Sequence, residues 1–280
     1  MTHYLVIQGD EIATPDLKQL AKLAGASRIE AITQQAFRLR DANVANKDAV
    51  AAHCATARLD YGFVPHARKL SDFGLAVMDM DSTLITIECI DEIADMMGLK
   101  PQVSAITESA MRGEIDFQDS LRRRVALLHG LAESALERVY AERLKLSPGA
   151  ETMLAALKAN RIRTLLVSGG FTFFTERLKT RLGLDYTASN VLEIIDGKLT
   201  GKVLGDIVDA DAKAAWLKKI RNALGLAPAQ VIAIGDGAND LKMLAAAGVS
   251  IAYRAKPVVR DQANYALNFV GLDGVLNLLG

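Results

Sequence analysis

Apolar runs alternate with amphipathic segments along most of the chain. The fully apolar runs are short and rich in Val, Leu and Ile, which is typical of strands that are buried on both faces. These runs lie at residues 75–78, 163–168 and 230–234, with shorter runs at 249–252 and 266–270. Helices are predicted between or beside them at residues 150–159, 172–182, 211–224 and 241–247. Strands that alternate with helices predict an α/β fold with a doubly wound, mostly parallel sheet.

Residues 1–70 follow a different order. Strand-like segments lie at 4–8 and 59–64, residues 28–38 between them are strand-like in part, and helices are predicted at 16–23 and 48–57. A β-α-β-β-α-β order predicts a small α+β domain that resembles the ACT-like modules, which bind amino acids, although the segment has no ligand motif. A plain interaction or dimerisation domain fits the pattern at least as well, and a homodimer formed through it is a further hypothesis.

The larger unit, residues 71–280, contains a helical insertion at about residues 87–146. Gly98, Pro101, Gly113 and Gly130 divide this segment into about four helices. Because the insertion separates the first strand of the sheet from the next, it predicts a helical cap over the edge of the sheet. Farther along, Asp196-Gly197 between two strand-like segments predicts a two-residue hairpin.

Composition limits the class of protein. Half of the 280 residues are hydrophobic and 24% are charged, as in a soluble globular protein with one large or two ordinary domains. The balance of 33 basic and 33 acidic residues argues against general binding to nucleic acid or to a membrane surface. Two distant cysteines, no signal pattern and no uncharged run long enough to span a bilayer predict a cytoplasmic location.

Two carboxylates follow directly after the apolar run at 75–78. Asp79 and Asp81 are two residues apart, so in an extended chain both side chains point to one side and Met80 points away. Burying paired acids is costly unless they hold a cation or perform chemistry, and a hard cation such as Mg²⁺ prefers oxygen ligands. An ordinary acidic loop is the alternative interpretation.

Two other strands also end in small polar residues. Ser168-Gly169-Gly170 follows one of them, and Gly235-Asp236-Gly237 follows the other. The carboxyl ends of parallel strands meet at one edge of the sheet, and glycines allow main-chain amides to approach an anion closely. A simple turn explains either segment alone, but their convergence with Asp79 and Asp81 indicates a site.

Other phosphate and metal motifs are excluded. The segment Gly197–Lys202 has one residue too few between its glycines for a P-loop, and Val203 stands where Ser or Thr belongs. The chain has no Gly-x-Gly-x-x-Gly after a strand. Its four histidines show neither zinc nor catalytic-triad spacing.

The ordered set of site residues resembles a known family. Asp79-x-Asp81-x-Thr83, then Ser168, then Lys213, then Gly235-Asp236-Gly-x-Asn239-Asp240 resembles the motifs of the haloacid dehalogenase (HAD) phosphohydrolase superfamily. The fuller set, with Glu88, Arg124 and Ser168-Gly-Gly-Phe171, is similar to that of the members that hydrolyse O-phosphoserine. The resemblance covers residues from about 75 to 275 and leaves out the first 70.

The resemblance implies a Mg²⁺-dependent phosphatase that converts O-phospho-L-serine to L-serine and phosphate, the last step of serine biosynthesis. It implies that Asp79 is the nucleophile and forms an aspartyl-phosphate, and that Asp81 acts as general acid and then general base. Mg²⁺ would be held by the Asp79 carboxylate, the main-chain carbonyl of Asp81 and Asp236.

The resemblance also implies the groups that bind phosphate. They are Ser168, the Gly169 amide and Lys213, with Asn239 in contact with the ligand and Asp240 orienting the metal ligands. From the residues alone, Lys213 would be interpreted as a solvated lysine near the start of a helix.

Substrate selection is expected from the cap. In a helix predicted at 116–130, Arg124 shares a narrow stripe with Phe117, Leu121 and Leu128. An arginine within an apolar stripe needs either a structural ion pair or a ligand carboxylate, and we favour the ligand. Helical periodicity predicts that Glu88 is solvent-exposed, and only the resemblance makes it a candidate for binding the substrate ammonium.

Two alternatives stay open at this stage. A phosphotransferase, or a phosphatase for another small phosphomonoester, would use the same residues, because nothing in the sequence separates water from a second alcohol as phosphoryl acceptor. An amino-acid-sensing regulator is a hypothesis of another class, in which the first domain binds serine and the phosphatase fold is a scaffold. The complete set of Asp79, Asp81, Lys213 and Asp236 argues against an inactive scaffold.

Overall fold

The first part of the chain forms an antiparallel sheet with two helices on one face. The computed structural model describes residues 3–280. The strand order is β2-β3-β1-β4, and the order of elements along the chain is the predicted β-α-β-β-α-β. The elements are β1 (His3–Gln8), α1 (Thr14–Ala24), β2 (Arg28–Thr33), β3 (Ala36–Ala42), α2 (Lys47–Ala57) and β4 (Asp60–Pro65).

The two faces of this sheet pack against different partners because side chains alternate along a strand. Leu5 and Ile7 of β1 lie in one apolar cluster with Leu20 of α1. Val6, which points to the opposite face, and Val64 of β4 belong to the main apolar cluster of the larger unit. The N-terminal sheet is therefore packed onto the rest of the molecule through its second face.

The larger unit is built on a seven-stranded sheet in the order β11-β10-β9-β5-β6-β7-β8. Its pairs are parallel except for the antiparallel β7–β8 hairpin, which confirms the predicted mostly parallel α/β fold. The strands are β5 (Leu75–Met78), β6 (Arg163–Phe171), β7 (Tyr186–Ile195), β8 (Lys198–Leu204), β9 (Val231–Gly235), β10 (Val249–Tyr253) and β11 (Tyr265–Leu267). The hairpin turns at Asp196-Gly197, as predicted, and both residues have positive φ.

Both faces of the sheet are covered. Val77 and Met78 are consecutive and fully buried, yet they belong to two different apolar clusters. This explains why the strand sequences are continuously apolar rather than alternating. The surrounding helices are α7 (Ala150–Ala159), α8 (Thr172–Leu182), α9 (Ala210–Ala223), α10 (Leu241–Ala245), α11 (Pro257–Arg260) and α12 (Gly274–Leu279).

The prediction of a strand at 266–270 was wrong beyond Leu267. The main-chain N–H groups of Asn268, Phe269 and Val270 donate to the buried carboxylate of Asp60 at 2.8, 2.9 and 3.1 Å. These donors are therefore satisfied by a side chain of the N-terminal sheet and not by a neighbouring strand.

The segment between β5 and β6 is helical. Its helices are α3 (Cys89–Met96), α4 (Lys100–Met111), α5 (Phe117–Ala126) and α6 (Ser134–Arg138). The predicted helix at 116–130 ends early, at Ala126, because the chain then pairs with β8: the Gly130 N–H donates to the Leu199 carbonyl, and the Leu199 N–H donates to the Leu131 carbonyl, each at 2.8 Å. Among residues 3–280, no helix has the length and apolar character to cross a lipid bilayer.

Candidate active site

The predicted site residues meet at one edge of the main sheet. Strands β9, β5 and β6 are neighbours and run parallel, so Asp236, Asp79 and Ser168 all emerge at their carboxyl ends. Met80 is completely buried in the apolar core, whereas Asp79 and Asp81 both line a cavity of about 750 Å³. The side chains thus alternate as predicted.

Three carboxylates form the anionic centre of the site. One oxygen from each of Asp79, Asp236 and Asp240 can be chosen so that all lie within 4.8 Å of one another. Within residues 3–280, Lys213 is the one cationic side chain within 4.0 Å of this group, so three ionised carboxylates would exceed it by two negative charges. An all-oxygen donor set with this net charge fits a divalent hard cation.

Lys213 is buried, and the interpretation of a solvated lysine was wrong. Its side chain is 1% exposed, and its Nζ lies 2.7 Å from Oδ1 of Asp79 and 2.8 Å from Oδ1 of Asp240. Asp209 caps the N-terminus of α9 by accepting the Ala212 N–H, which places Lys213 in the first turn. Burial alone would lower the pKa of Lys213, but the two carboxylates outweigh it and hold the pKa above its usual value.

Asp79 is held from two sides. Its Oδ1 accepts the Met80 N–H at 2.8 Å in addition to its contact with Lys213. Burial, and then repulsion from Asp240, raises the pKa of Asp79 well above the usual range despite the neighbouring ammonium. An added cation at this centre would favour the ionised carboxylate.

Asp81 faces a different part of the cavity. Its Oδ1 accepts the Cys89 N–H at 3.0 Å, and its Oδ2 lies 3.4 Å from the Ser168 hydroxyl. Burial raises the pKa of Asp81, which suits a carboxyl group that carries a proton during part of a reaction. The Asp81 carboxylate is not part of the three-carboxylate group.

Asp236 and Asp240 are fixed by hydrogen bonds, Asp240 within its own loop and Asp236 to the segment that follows β5. The Thr83 hydroxyl donates to Asp236 at 2.9 Å, and burial followed by repulsion from Asp240 raises the pKa of Asp236 to about 6. Oδ2 of Asp240 accepts the main-chain N–H groups of Asp236 and Gly237. A Cβ atom at residue 235 would lie 2.5 Å from an Asp240 oxygen, so only glycine fits there.

The cap forms the opposite wall of the cavity. The residues that it contributes include Glu88, Asp91, Phe117, Ser120, Leu121 and Arg124, and the sheet side contributes Asn239 and Lys256 beyond the groups described above. Phe117 lies directly over the carboxyl-terminal part of β6, since its Cζ would be 2.9 Å from a Cβ at Gly169. The cavity therefore combines an anionic floor with a mixed apolar and charged roof.

Arg124 points into this cavity without a partner carboxylate. Leu121 and Leu128 of the predicted stripe are buried, and the Arg124 side chain is half-buried between them and the cavity. Its Nε lies 3.4 Å from the Ser120 carbonyl, and none of the carboxylates in the described chain lies within 4.0 Å of the guanidinium. Burial lowers the pKa of Arg124, and the charges of Asp91, Glu88 and Asp81 only partly oppose this.

Glu88 is solvent-accessible, as its periodicity predicts, but it opens onto the cavity. It precedes α3, and its Oε1 accepts the Ser82 hydroxyl at 2.6 Å. Desolvation by the surrounding cavity walls, together with repulsion from Asp81, raises the pKa of Glu88 to about 7.

Three polar residues near the site were missed by sequence reasoning. Asn190 of β7 binds the Gly169 carbonyl at 2.7 Å, Gln118 of α5 donates to Asp209 at 2.7 Å, and Lys256 lines the cavity. These residues belong to no motif in the sequence, and each is brought to the site only by the fold.

Comparisons with known proteins agree with this geometry. The family model for haloacid dehalogenase-like hydrolases matches residues 76–245, and a domain of unknown function (DUF4072) matches residues 5–50. A phosphoserine phosphatase from Polaromonas sp. (strain JS666) is 56% identical over 216 residues, which cover 75% of this chain and 92% of that protein.

Two solved structures superpose on nearly the whole chain. A HAD family hydrolase from Salmonella enterica serovar Typhi is 34% identical, with a TM-score of 0.90 and coverage of 99% of this chain and 98% of that one. A probable phosphoserine phosphatase from Vibrio cholerae is 38% identical, with a TM-score of 0.85 and coverage of 99% and 86%. The chain therefore belongs to the haloacid dehalogenase-like hydrolase family.

Proposed function

We propose that this enzyme hydrolyses O-phospho-L-serine to L-serine and inorganic phosphate through an aspartyl-phosphate intermediate. The observation that carries the proposal is a single cavity in which Asp79, bound to the buried Lys213, faces the unpaired guanidinium of Arg124. Asp79 beside Lys213 suits attack on a phosphoryl group, and the guanidinium of Arg124 suits binding of a carboxylate on the same substrate. The relative from Polaromonas, named phosphoserine phosphatase, supports the same substrate.

In the first half-reaction, a carboxylate oxygen of Asp79 bonds to phosphorus while the bond from phosphorus to the serine oxygen breaks. Asp81 donates its proton to that oxygen, so that serine leaves as a neutral alcohol. The raised pKa of Asp81 supports this role, because a carboxyl of ordinary pKa would already have lost the proton.

In the second half-reaction, the now ionised Asp81 removes a proton from water, and the water oxygen bonds to phosphorus. The bond between phosphorus and Asp79 breaks, phosphate leaves, and both aspartates return to their starting states. In the free enzyme, Lys213 contacts oxygens of Asp79 and Asp240, and it would hold the Asp79 carboxylate in place for the attack while its third proton is left for a phosphoryl oxygen.

The metal site follows from the charge balance. Asp79, Asp236 and the main-chain carbonyl of Asp81 would hold Mg²⁺, since both oxygens of Asp240 already accept hydrogen bonds and Asp240 orients its neighbours instead. When bound, Mg²⁺ neutralises negative charge on the phosphoryl oxygens and lets the anionic substrate approach Asp79.

Neutral and cationic donors would hold the other phosphoryl oxygens. We assign the Ser168 hydroxyl, the Gly169 amide, Lys213 and Asn239 to this role. Arg124 would bind the substrate carboxylate, and Glu88 would bind the ammonium group. A pKa of about 7 for Glu88 supports the last assignment, because a bound ammonium would complete its ionisation near neutral pH.

We also propose a division of labour along the chain. Residues 1–70 would be an ACT-like domain that binds an amino acid or a second copy of the chain, residues 71–280 the catalytic domain, and residues 87–146 its cap. The antiparallel sheet with two helices on one face supports the first part, and the position of α3–α6 between β5 and β6 supports the last.

The direct test is phosphate release from O-phospho-L-serine and from a panel of small phosphomonoesters, with Mg²⁺ or with excess EDTA. No alcohol that could accept the phosphoryl group is added to the assay. We expect rapid, metal-dependent release that favours phosphoserine. Asp79→Asn should lose turnover by at least about 10³-fold while keeping its circular dichroism spectrum. Formation of serine only when an alcohol acceptor is added, with the phosphoryl group recovered on that alcohol, would replace hydrolysis by phosphotransfer. Steady turnover by Asp79→Asn would overturn the nucleophile assignment.

A further inference from the structure

Asn190 joins two segments of the site from behind. The side chain is 1% exposed and lies outside the cavity wall. Its Nδ2 donates to the Gly169 carbonyl at 2.7 Å, and its Oδ1 accepts the Val208 N–H at 2.8 Å. Both ends of one buried amide are therefore committed to main-chain groups of the site.

The hydrogen bond from Asn190 to the Gly169 carbonyl forms because the pairing between β6 and β7 is interrupted there. Val167 of β6 pairs with Ala188 of β7, and the next registered pair is Phe171 with Asn190, so β6 uses two more residues than β7 between these pairs. This bulge carries Gly169 and Gly170 away from the ladder. The Asn190 side chain supplies the donor for the Gly169 carbonyl that the interrupted ladder does not provide.

The peptide group between Gly169 and Gly170 is consequently held at both ends. Its carbonyl accepts from Asn190, and its N–H donates to the Ser168 Oγ at 2.8 Å. Because that bond occupies an acceptor position of the Ser168 oxygen, the hydroxyl proton is left to point into the cavity, where the nearest acceptor is the Asp81 Oδ2 at 3.4 Å. Hydrogen bonds arranged in such a chain also polarise one another.

The second bond reaches the other phosphate-binding segment. Val208 directly precedes Asp209, the N-cap of α9, and Lys213 lies in the first turn of that helix. Asn190 thus ties the bulge of β6 that carries Ser168 to the helix that carries Lys213, although Ser168 and Lys213 are 45 residues apart in the sequence.

We propose that Asn190 is a positioning residue for phosphoryl binding. It fixes the Gly169–Gly170 peptide plane, aims the Ser168 hydroxyl at a phosphoryl oxygen, and sets the spacing between this loop and Lys213. The inference rests on the proposed function of the site, and it concerns a residue that touches neither the substrate nor the metal.

The test compares two substitutions of Asn190. Asn190→Asp keeps the shape and the acceptor for Val208 but loses the donor to Gly169 when its carboxyl is ionised, and Asn190→Ala loses both without adding a charge. For each, we would measure kcat and KM for O-phospho-L-serine, the inhibition constant of inorganic phosphate, and the melting temperature. We expect both variants to weaken phosphate inhibition and to lower kcat/KM by about 10-fold or more, because removing a partner that orients a binding group costs about 10–100-fold.

The matched control is Asn264→Ala. The Asn264 Oδ1 accepts the Ser250 N–H at 2.9 Å at the amino ends of β10 and β11, outside the cavity. We expect this variant to lower the melting temperature and to leave the phosphate inhibition constant unchanged.

An inhibition constant within twofold of wild type for both Asn190 variants, with only the melting temperature lowered, would overturn the positioning role. An effect confined to Asn190→Asp would assign the loss to the added charge and would also overturn the positioning role.

Direct calorimetric titration with inorganic phosphate and Mg²⁺ separates the proposed function from the positioning role of Asn190. If the wild-type protein binds phosphate but does not hydrolyse phosphoserine, the proposed function is refuted, and the phosphate affinities of the Asn190 variants still test the positioning role. If the wild-type protein binds no phosphate, the positioning role is refuted.

Discussion

Lys213 and Asp79 form an ion pair of 2.7 Å in which both side chains are buried. The same ammonium lies 2.8 Å from Asp240, so one lysine compensates two carboxylates that arise from strands β5 and β9. Charges this deeply buried are stable only when each has its partner in good geometry. The pair is therefore part of the folded framework as well as of the proposed active site.

Lys213→Met should destabilise the protein strongly. The substitution leaves Asp79 and Asp240 buried and uncompensated, and the free energy of unfolding should fall by about 3–5 kcal/mol in EDTA. Urea denaturation with and without Mg²⁺ measures this, and we expect Mg²⁺ to restore part of the loss. Lys242→Met is the control, because Lys242 pairs with Asp211 at 2.7 Å on the surface and should cost less than about 1 kcal/mol. Similar losses for both would mean that burial does not govern the Lys213 pair.

Arg124→Ala should impair binding of the substrate carboxylate. We expect the KM for phosphoserine to rise about 10-fold or more, and the KM for phosphoethanolamine, which keeps the ammonium but lacks the carboxylate, to change little. Steady-state kinetics with both substrates gives the comparison. Arg123→Ala is the matched control, since Arg123 lies on the same helix but is exposed and pairs with Asp119 at 2.7 Å. Equal increases in KM for the two substrates would make Arg124 structural.

The affinity for phosphoserine should depend on the ionisation of Glu88. The pKa of this carboxyl is about 7, so the group is largely neutral below that pH and negatively charged above it. Only the charged form attracts the substrate ammonium, and the KM should therefore fall as the pH rises through about 7. Phospholactate, which keeps the phosphate and the carboxylate but lacks the ammonium, corrects for titration of the phosphate itself.

Glu88→Gln tests the origin of that pH dependence. The variant should show the same ratio of KM values for phosphoserine and phospholactate on both sides of pH 7, because no carboxyl titrates at position 88. A ratio that still changes in the variant as it does in the wild type would assign the effect to another group in the cavity.

Much of the fold and of the site is encoded locally. The apolar runs at β5, β6 and β9 define the central strands, and the polar residues that follow them mark the edge where a ligand binds, because parallel strands must align their carboxyl ends. Asp79, Asp81, Ser168 and Asp236 could thus be located from short segments of sequence.

The remaining features depend on contacts between distant segments. Nothing near Lys213 in the sequence shows that its side chain is buried against Asp79, 134 residues earlier, or that β6 bulges and leaves the Gly169 carbonyl to Asn190. The early end of α5 and the short β11 have the same cause, because tertiary hydrogen bonds to β8 and to Asp60 replace the local ones. Local propensity does not contain these partners.

Asp60→Asn should weaken the attachment of the N-terminal sheet to the main sheet. The carboxylate is 2% exposed and accepts the main-chain N–H groups of Asn268, Phe269 and Val270, whereas an amide has only one oxygen, so at least one buried donor loses its acceptor. Each such donor costs about 1–3 kcal/mol, and urea denaturation should show a loss of this size. Turnover of the folded variant should be unchanged, because Asp60 lies outside the cavity. Asp261→Asn makes the same change of charge on an exposed side chain and should alter neither quantity; a similar loss there would mean that net charge, and not the hydrogen bonds of Asp60, determines the stability.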